Sequence, residues 1–493
     1  MKIIHRTQPI KNNGELRNVI IPVNNKYFST ENQNLSVIET GENKIFFNKI
    51  ISLIQSAHKV ICLQSYLIQN SQIIDELVNA SNRNVKVYVM DSAETRIGGK
   101  IEEDESFVKE DYVKMMQEKF LNKIIHRQAE NFHAKFIVID PKTNPKGYLT
   151  TANFTIKALT ENPEFGIELT TKQALDCYKT FVYHFWEHAT DEQTATNDWT
   201  KYEKHPDKFS LPNDLEILLS SPNAEKSNLK KYLIQEIENV TDSITFSTFG
   251  FDIEHEVAQA ILRKLKSGLK VKIFARPREK SLKGFTTLLE NGAEIYFHNL
   301  LHAKAILFDN KEGAIFSANF ESHGLDDGWE MGIKLSENQI RDLCEIFKNF
   351  EKWFPYKFVK NINIQNMNKY YKFREGKLTE QKIIENETKN IDEKSIQKVS
   401  DLFDFYSQQL EIPKKSEIKE YTLNFTAKFQ ELKKEFETLE KINNRFSVIK
   451  IVKNKLKDKE PEFETAILIE NTENIEKELN ILENYKDLNI YTK

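Results

Sequence analysis

His302-Ala303-Lys304, followed by Asp309 and then Phe316-Ser317-Ala318-Asn319, is the stretch from which the fold can be read, because the chain carries it twice. The other copy is His133-Ala134-Lys135, followed by Asp140 and then Thr150-Thr151-Ala152-Asn153. In each copy His and Lys stand two apart beside an apolar run, Phe136-Ile137-Val138-Ile139 in one and Ala305-Ile306-Leu307-Phe308 in the other. Such runs read as buried strands, and the two-residue period of a strand sets His and Lys on one face. A Glu follows each Asn after eleven positions, Glu164 after Asn153 and Glu330 after Asn319. Each Glu opens a matching segment, Glu164-Phe165-Gly166-Ile167 and Glu330-Met331-Gly332-Ile333.

These residue types suit attack on a phosphodiester. A neutral imidazole is a nucleophile near pH 7, and its protonated form is a general acid. Lys135 and Lys304 supply cations for phosphate oxygens. Asn153 and Asn319, with the hydroxyls of Thr151 and Ser317, supply neutral donors where transition-state charge gathers. A carboxylate on the far ring nitrogen fixes the tautomer and stabilises imidazolium, and Glu164 and Glu330 are the candidates. Asp140 and Asp309 read as structural, holding the motif loops through backbone hydrogen bonds. A lone histidine is more often an ordinary, partly buried side chain. Two copies with the same downstream Asn and Glu make catalysis the better reading.

The duplicated pattern resembles the His-x-Lys-x4-Asp motif of the phospholipase D superfamily, which comprises lipases, transphosphatidylases, nucleases and related phosphodiesterases. The resemblance covers roughly residues 36 to 358. The second motif keeps the usual spacing, with Phe316 where Gly is usual. The first has three extra residues between Asp140 and Thr150, with Thr150 in place of Gly and Thr151 in place of Ser. The resemblance implies an α/β fold of two pseudo-twofold-related repeats, mixed sheets with flanking helices, meeting face to face over one cleft. It also implies a phosphohistidine intermediate, with no metal and no other cofactor. His133 is then the expected nucleophile and His302 the acid, with the reverse assignment open. Each carboxylate would serve the opposite histidine, Glu330 for His133 and Glu164 for His302.

Composition narrows the class. With 70 Lys and Arg against 74 Asp and Glu, the net charge is −4, so the whole protein is not a basic nucleic-acid binder and any phosphate-binding surface is local. Cys62, Cys177 and Cys344 are too widely spaced for a disulfide frame or a zinc site and read as reduced thiols. The first residues lack the apolar run of a signal peptide, and no stretch has the length of a membrane span. A cytoplasmic chain with no membrane partner is the expectation.

Four segments are expected: a first repeat with an N-terminal extension (1–189), a linker holding Pro206 and Pro212 (190–212), a second repeat (213–358) and a Lys/Glu/Asn-rich tail (359–493). Within each repeat, helical and strand patterns alternate, which implies α/β layers. Each repeat closes on an aromatic helix, one with Trp186 and one with Trp353. The tail reads as mainly helical α+β. Ile396, Val399, Phe403, Tyr406 and Leu410 form one apolar stripe, and Phe425, Phe429, Leu432, Phe436 and Leu439 another, with Pro413 between them. Two readings stay open for residues 394–443: seams that pack on each other and on the catalytic body, or a docking surface for a partner protein or a second copy. Residues 447–452 and 464–469 read as paired strands, and 475–485 as a last helix.

The functional expectation is a metal-independent phosphodiesterase and, within the family, a nuclease with DNA or RNA as its partner. Lipid-active relatives commonly carry a signal peptide, membrane helices or a lipid-binding module, and none is visible here. Some family nucleases act in bacterial defence, which that reading admits. Two rivals remain: a phospholipase D or transphosphatidylase acting on lipid, and a non-catalytic nucleic-acid-binding scaffold. The complete motif pairs argue against the scaffold.

Overall fold

The computed structural model describes residues 3–9, 15–93, 112, 118–194, 199–222, 226–363, 369–374, 377–382, 446–453, 463–470 and 489–491. The chain divides into two units, residues 16–383 and residues 1–15 with 384–493.

The larger unit contains two sheets built on one plan. In the first, Val60–Gln64, Lys86–Ser92 and Ile125–Ala129 run parallel. Phe136–Ile139 lies antiparallel to Val60–Gln64, and Lys146–Thr150, Phe165–Glu168 and Val37–Glu39 follow outward. In the second, Ser243–Thr248, Lys270–Ala275 and Glu294–Phe297 run parallel. Ala305–Phe308 lies antiparallel to Ser243–Thr248, followed by Glu312–Phe316, Glu330–Lys334 and Ile217–Ser220. The register is the same in both. Ile61 faces Ile139 and Ile244 faces Phe308, each partner being the sixth residue after its motif histidine.

The apolar runs become strands with both faces covered, so they show no polar alternation. Ile137 and Ile139 point into a core with the helices Ile45–Ser56 and Ser71–Asn82. Ile306 and Phe308 do the same with Glu256–Lys266 and Glu279–Glu290. The alternate residues Phe136, Val138, Ala305 and Leu307 enter one core shared by both repeats. The closing helices Thr171–Tyr183 and Glu337–Trp353 join that core through Cys177, Phe181, Phe347 and Phe350. Phe165 of the first repeat stacks on Phe350 of the second at 6.0 Å. Fully burying a side chain of this size contributes about 1.5–3 kcal/mol, so a few such contacts suffice to hold the repeats together. The glycine common to the two Glu-led segments has a packing reason. A Cβ on Gly166 would run into the ring of Phe46, and one on Gly332 would fall 2.6 Å from Cβ of Phe316.

The second sheet continues beyond the repeat. Tyr356–Asn363, Glu15–Pro22, Lys369–Arg374 and Lys377–Lys382 extend its edge, with Ile20 paired to Tyr371. Residues read from sequence as a polar tail and as an extension of the first repeat thus share this sheet. The stretch read as a linker forms two short strands, Asp191–Gln193 and Trp199–Lys201, on the edge of the first sheet. Pairings between such distant residues leave no local sequence pattern. In the smaller unit the expected strands are Phe446–Lys453 and Phe463–Glu470, paired antiparallel. Ile3–Pro9 and Asn489–Tyr491 add to them on either side. The expected helical stripes of 394–443, with their docking surface, and the helix of 475–485 lie outside the described residues. Among the described residues no helix is long and apolar enough to cross a membrane.

Candidate active site

The loops carrying the two motif histidines are each fixed by the opposite repeat. The backbone N–H groups of His133 and Ala134 donate to the carbonyl of Trp329 at 3.0 and 2.9 Å. Those of His302 and Ala303 donate to the carbonyl of Pro163 at 3.2 and 3.0 Å. Trp329 and Pro163 are the residues just before Glu330 and Glu164, so each histidine is delivered to the carboxylate of the other half. His133 Nδ1 lies 2.8 Å from Glu330 Oε1, and His302 Nδ1 lies 2.6 Å from Glu164 Oε1. The two imidazole rings stand 6.4 Å apart, centroid to centroid, at 72°. With Nδ1–H turned to a carboxylate, Nε2 is the reacting nitrogen of each ring.

All four of these side chains are buried, and so are both lysines. Burial alone would push the Glu330 carboxyl up. The His133 charge and hydrogen bond, with Lys135 and Ser317, outweigh it and hold the group below the usual carboxylate range. Lys135 Nζ donates to the carbonyl of His133 at 2.6 Å, whereas Lys304 Nζ lies 2.7 Å from Nε2 of His302. The crossed pairs make the site pseudo-symmetric in placement.

Thr151 and Ser317 each bridge a site carboxylate and a backbone N–H. Thr151 Oγ1 donates to Glu164 Oε2 at 2.6 Å and accepts from the Phe165 N–H at 2.8 Å. Ser317 Oγ donates to Glu330 Oε2 and accepts from the Met331 N–H at 3.1 Å. A hydroxyl has one proton to give, and in each half a carboxylate oxygen is placed to receive it. Asn153 and Asn319 are buried in the loops that follow. Asn319 Oδ1 accepts from the Gly250 N–H at 3.3 Å, which leaves its amide nitrogen as the donating end.

Asp140 and Asp309 sit at the far ends of the motif strands, both with left-handed backbone, φ 45 and 52. Asp140 accepts from the N–H groups of His58, Lys59 and Val60 at 2.7–3.0 Å. Asp309 accepts from those of Thr241, Asp242 and Ser243. Burial acts to raise the Asp309 carboxyl, but these bonds prevail and bring it down to about 2. Both aspartates pin the start of a central strand.

Two site neighbours escaped the sequence reading. The ring of Tyr66 lies 5.2 Å from His133, and that of Phe249 lies 4.9 Å from His302. They occupy matching positions past the ends of Val60–Gln64 and Ser243–Thr248, but their identities differ, so no repeat pattern marks them. His184 and His188 pack on Trp329 at 4.9 and 4.4 Å, and Trp329 stacks on Phe132 at 5.4 Å. Burial keeps His184 well below its ordinary range, hence neutral. Among the described residues, His255, Glu256 and Asp326 converge closely enough for a cation. Lys230 Nζ already stands 2.5 Å from Glu256 and 2.6 Å from Asp326.

Comparison with known proteins bears on the family. The matching family model is described as a cardiolipin synthase, phospholipase D-like domain, and it covers residues 50–187 and 233–357, more than half of the chain. A cardiolipin synthase of Oceanobacillus iheyensis is 23% identical over 346 residues, 64% of this chain and 68% of that protein. Cardiolipin synthase 1 of Bacillus anthracis is 25% identical over 151 residues, 29% of each chain. Among solved structures, phosphatidylserine synthase of Haemophilus influenzae is 14% identical with a TM-score of 0.48, covering 69% of this chain and 90% of that one. The expectation of a nuclease with a nucleic-acid partner and no membrane is overturned by the family match and the curated relatives. The motif residues suit any phosphodiester, and the lack of an apolar span among the described residues does not exclude lipid.

Proposed function

The chain belongs to the phospholipase D superfamily, and from that premise we propose that it is a phosphatidyl transferase acting on phospholipid headgroups at a membrane surface. The observation that carries this reading is the family match with its cardiolipin synthase relatives, found on a chain whose two histidines stand 6.4 Å apart on crossed carboxylates.

In this reading His133 Nε2 attacks the phosphorus of a donor phospholipid. The bond to the headgroup oxygen breaks, and His302 gives that oxygen its proton. The phosphatidyl group now rides on His133, and His302 is neutral. An acceptor alcohol enters, His302 takes its proton, and its oxygen attacks phosphorus as the P–N bond breaks. Glu330 stabilises the charged imidazole of His133, and Glu164 that of His302. Lys135 and Lys304, with the amides of Asn153 and Asn319, offset charge on the phosphoryl oxygens. Asp140 and Asp309 take no part in the chemistry.

Vesicles of phosphatidylglycerol, incubated with the full chain, test the reading. Cardiolipin and free glycerol are the expected products. Phosphatidic acid without transfer would make the protein a hydrolase, and an unchanged lipid pool would defeat the proposal. The division between the histidines has its own assay, rapid quench with a nitrophenyl phosphodiester followed by intact-mass detection. The nitrophenolate leaves without a proton, so His302→Asn should show a covalent adduct and His133→Asn none. The opposite pattern exchanges the roles, and no adduct in either variant argues against a covalent route.

A further inference from the structure

Trp329 and Pro163 lend their carbonyls to the two histidine loops, but only one of them is stiff by its own chemistry. The ring of Pro163 fixes its φ. Trp329 has no such ring, and the residue before it is Gly328, whose backbone is the freest of any type. Side-chain contacts hold Trp329 instead. The indole stacks on Phe132 at 5.4 Å and 13°, and it packs against His184 at 4.9 Å and His188 at 4.4 Å. These three rings form a cage around it. The backbone N–H of Trp329 donates to the Asn131 carbonyl at 2.8 Å, and its own carbonyl receives the N–H groups of His133 and Ala134.

The cage belongs to the first repeat, whereas the indole belongs to the second. The closing helix Thr171–Tyr183 runs on into a π-turn, His184–His188, where the Ala189 N–H donates to the His184 carbonyl five residues back. Such turns are rare and are found mostly at functional sites. This one brings both histidines to the indole. His184 is buried, and its Nδ1 lies 3.0 Å from Gln64 Oε1, an acceptor, so the ring donates there and its plane is set. The equivalent elements of the second repeat differ. Gln64 faces Phe136 as Ser247 faces Ala305, so a short hydroxyl stands where the longer amide reaches out. The closing helix Glu337–Trp353 keeps the α register to its end, with the Phe354 N–H on the Phe350 carbonyl.

We propose that His184 and His188 are positioning residues for His133 and act through Trp329, so that the cage does for one histidine loop what the proline ring does for the other. The inference rests on the reading in which His133 is the nucleophile. In-line attack on phosphorus tolerates little misplacement. Trp329 fixes His133 at two points, since its carbonyl holds the histidine's backbone and the next residue, Glu330, holds Nδ1 at 2.8 Å. A shift of the indole therefore moves both anchors together and turns Nε2 away from its target. His184 and His188 take no part in the chemistry themselves.

The test runs in the full-length His302→Asn variant with a nitrophenyl phosphodiester, where a covalent adduct reports the attack of His133 alone. Rapid quench yields two quantities, the rate of adduct formation and the final fraction of chains that carry it. Adding His188→Ala or Trp329→Ala is expected to slow the rate by about tenfold to a hundredfold, the effect of a misplacement on the order of 1 Å, with the final fraction unchanged. Trp329→Phe keeps a ring for the cage and should restore most of the rate. Trp329→Ala combined with His188→Ala should be no slower than Trp329→Ala alone, because both act through one ring. His188 is only half-buried, so its variant supplies the answer if Trp329→Ala fails to fold. A lower final fraction at an unchanged rate would mean that the cage merely holds the fold, and would overturn the proposal. Unchanged rates, or losses that add in the double variant, would overturn it as well. A His302→Asn parent that forms no adduct defeats the nucleophile reading itself, and the proposal with it.

Discussion

Replacing Glu330 by Gln changes one atom and removes one buried charge. Gln can still accept from His133 Nδ1, so the hydrogen bond survives and the ion pair does not. At the observed 2.8 Å, an imidazolium and a carboxylate attract by about 6 kcal/mol at an effective dielectric of about 20. Desolvation offsets part of that, and removing one member of a buried pair costs about 3–5 kcal/mol. In the proposed sequence the attacking form of His133 is neutral, and its positive charge returns as the phosphoryl group bonds to it. The loss therefore falls on the transition state, and at 1.36 kcal/mol per tenfold it lowers kcat by about two to four orders of magnitude. KM should change little, because Glu330 touches the histidine and not the substrate. The assay is turnover of a nitrophenyl phosphodiester, with thermal unfolding measured alongside. Glu330 is held below the usual carboxylate range, so it stays ionised in mild acid and the acid limb of the native pH profile is not its titration. Turnover within about threefold of native, in a variant that remains folded, would refute this account of the crossed pairs.

Three further outcomes are expected. Lys135→Ala and Lys304→Ala should each reduce turnover by about a hundredfold or more without unfolding the chain, and a variant with near-normal turnover would show that only one motif works. Activity should persist in excess EDTA, because histidine supplies the nucleophile and lysine the charge; complete loss that magnesium restores would sink the phosphohistidine route. Burial pushes the Glu39 carboxyl up to about 8, against the hydrogen bonds from Tyr27 and Thr30. A raised folded pKa means the native state holds an extra proton, so stability is full below the ordinary carboxylate range and is lost as pH rises toward 8. Glu39→Gln should flatten that decline in melting temperature, and parallel curves for native and variant would contradict it.

The groups that cluster in the cleft were legible because the chain states them twice. His133 and His302, Lys135 and Lys304, and Glu164 and Glu330 recur at fixed spacing, and a strand period puts His and Lys on one face. Other features left no such trace. Tyr66 and Phe249 match in position but not in type. Thr151 and Ser317 were recognised as hydroxyls, but which partner receives the proton depends on where the Glu strand lies in space. Ile3–Pro9 and Glu15–Pro22 pair with residues hundreds of positions away, where no local pattern can reach. The nuclease expectation fails for a different reason: motif residues suited to a phosphodiester do not record what hangs from the phosphate.

The crossed wiring also governs when the candidate site is complete. Synthesis proceeds from the N-terminus, so the first half emerges with His133 and Glu164 while their partners, Glu330 and His302, are still unmade. At that stage no histidine has its carboxylate, and the loop of His133 lacks the Trp329 carbonyl that shapes it. The nascent chain thus has neither crossed pair until its second half docks, and a truncated product that folds only halfway holds His133 without the Glu330 carboxylate.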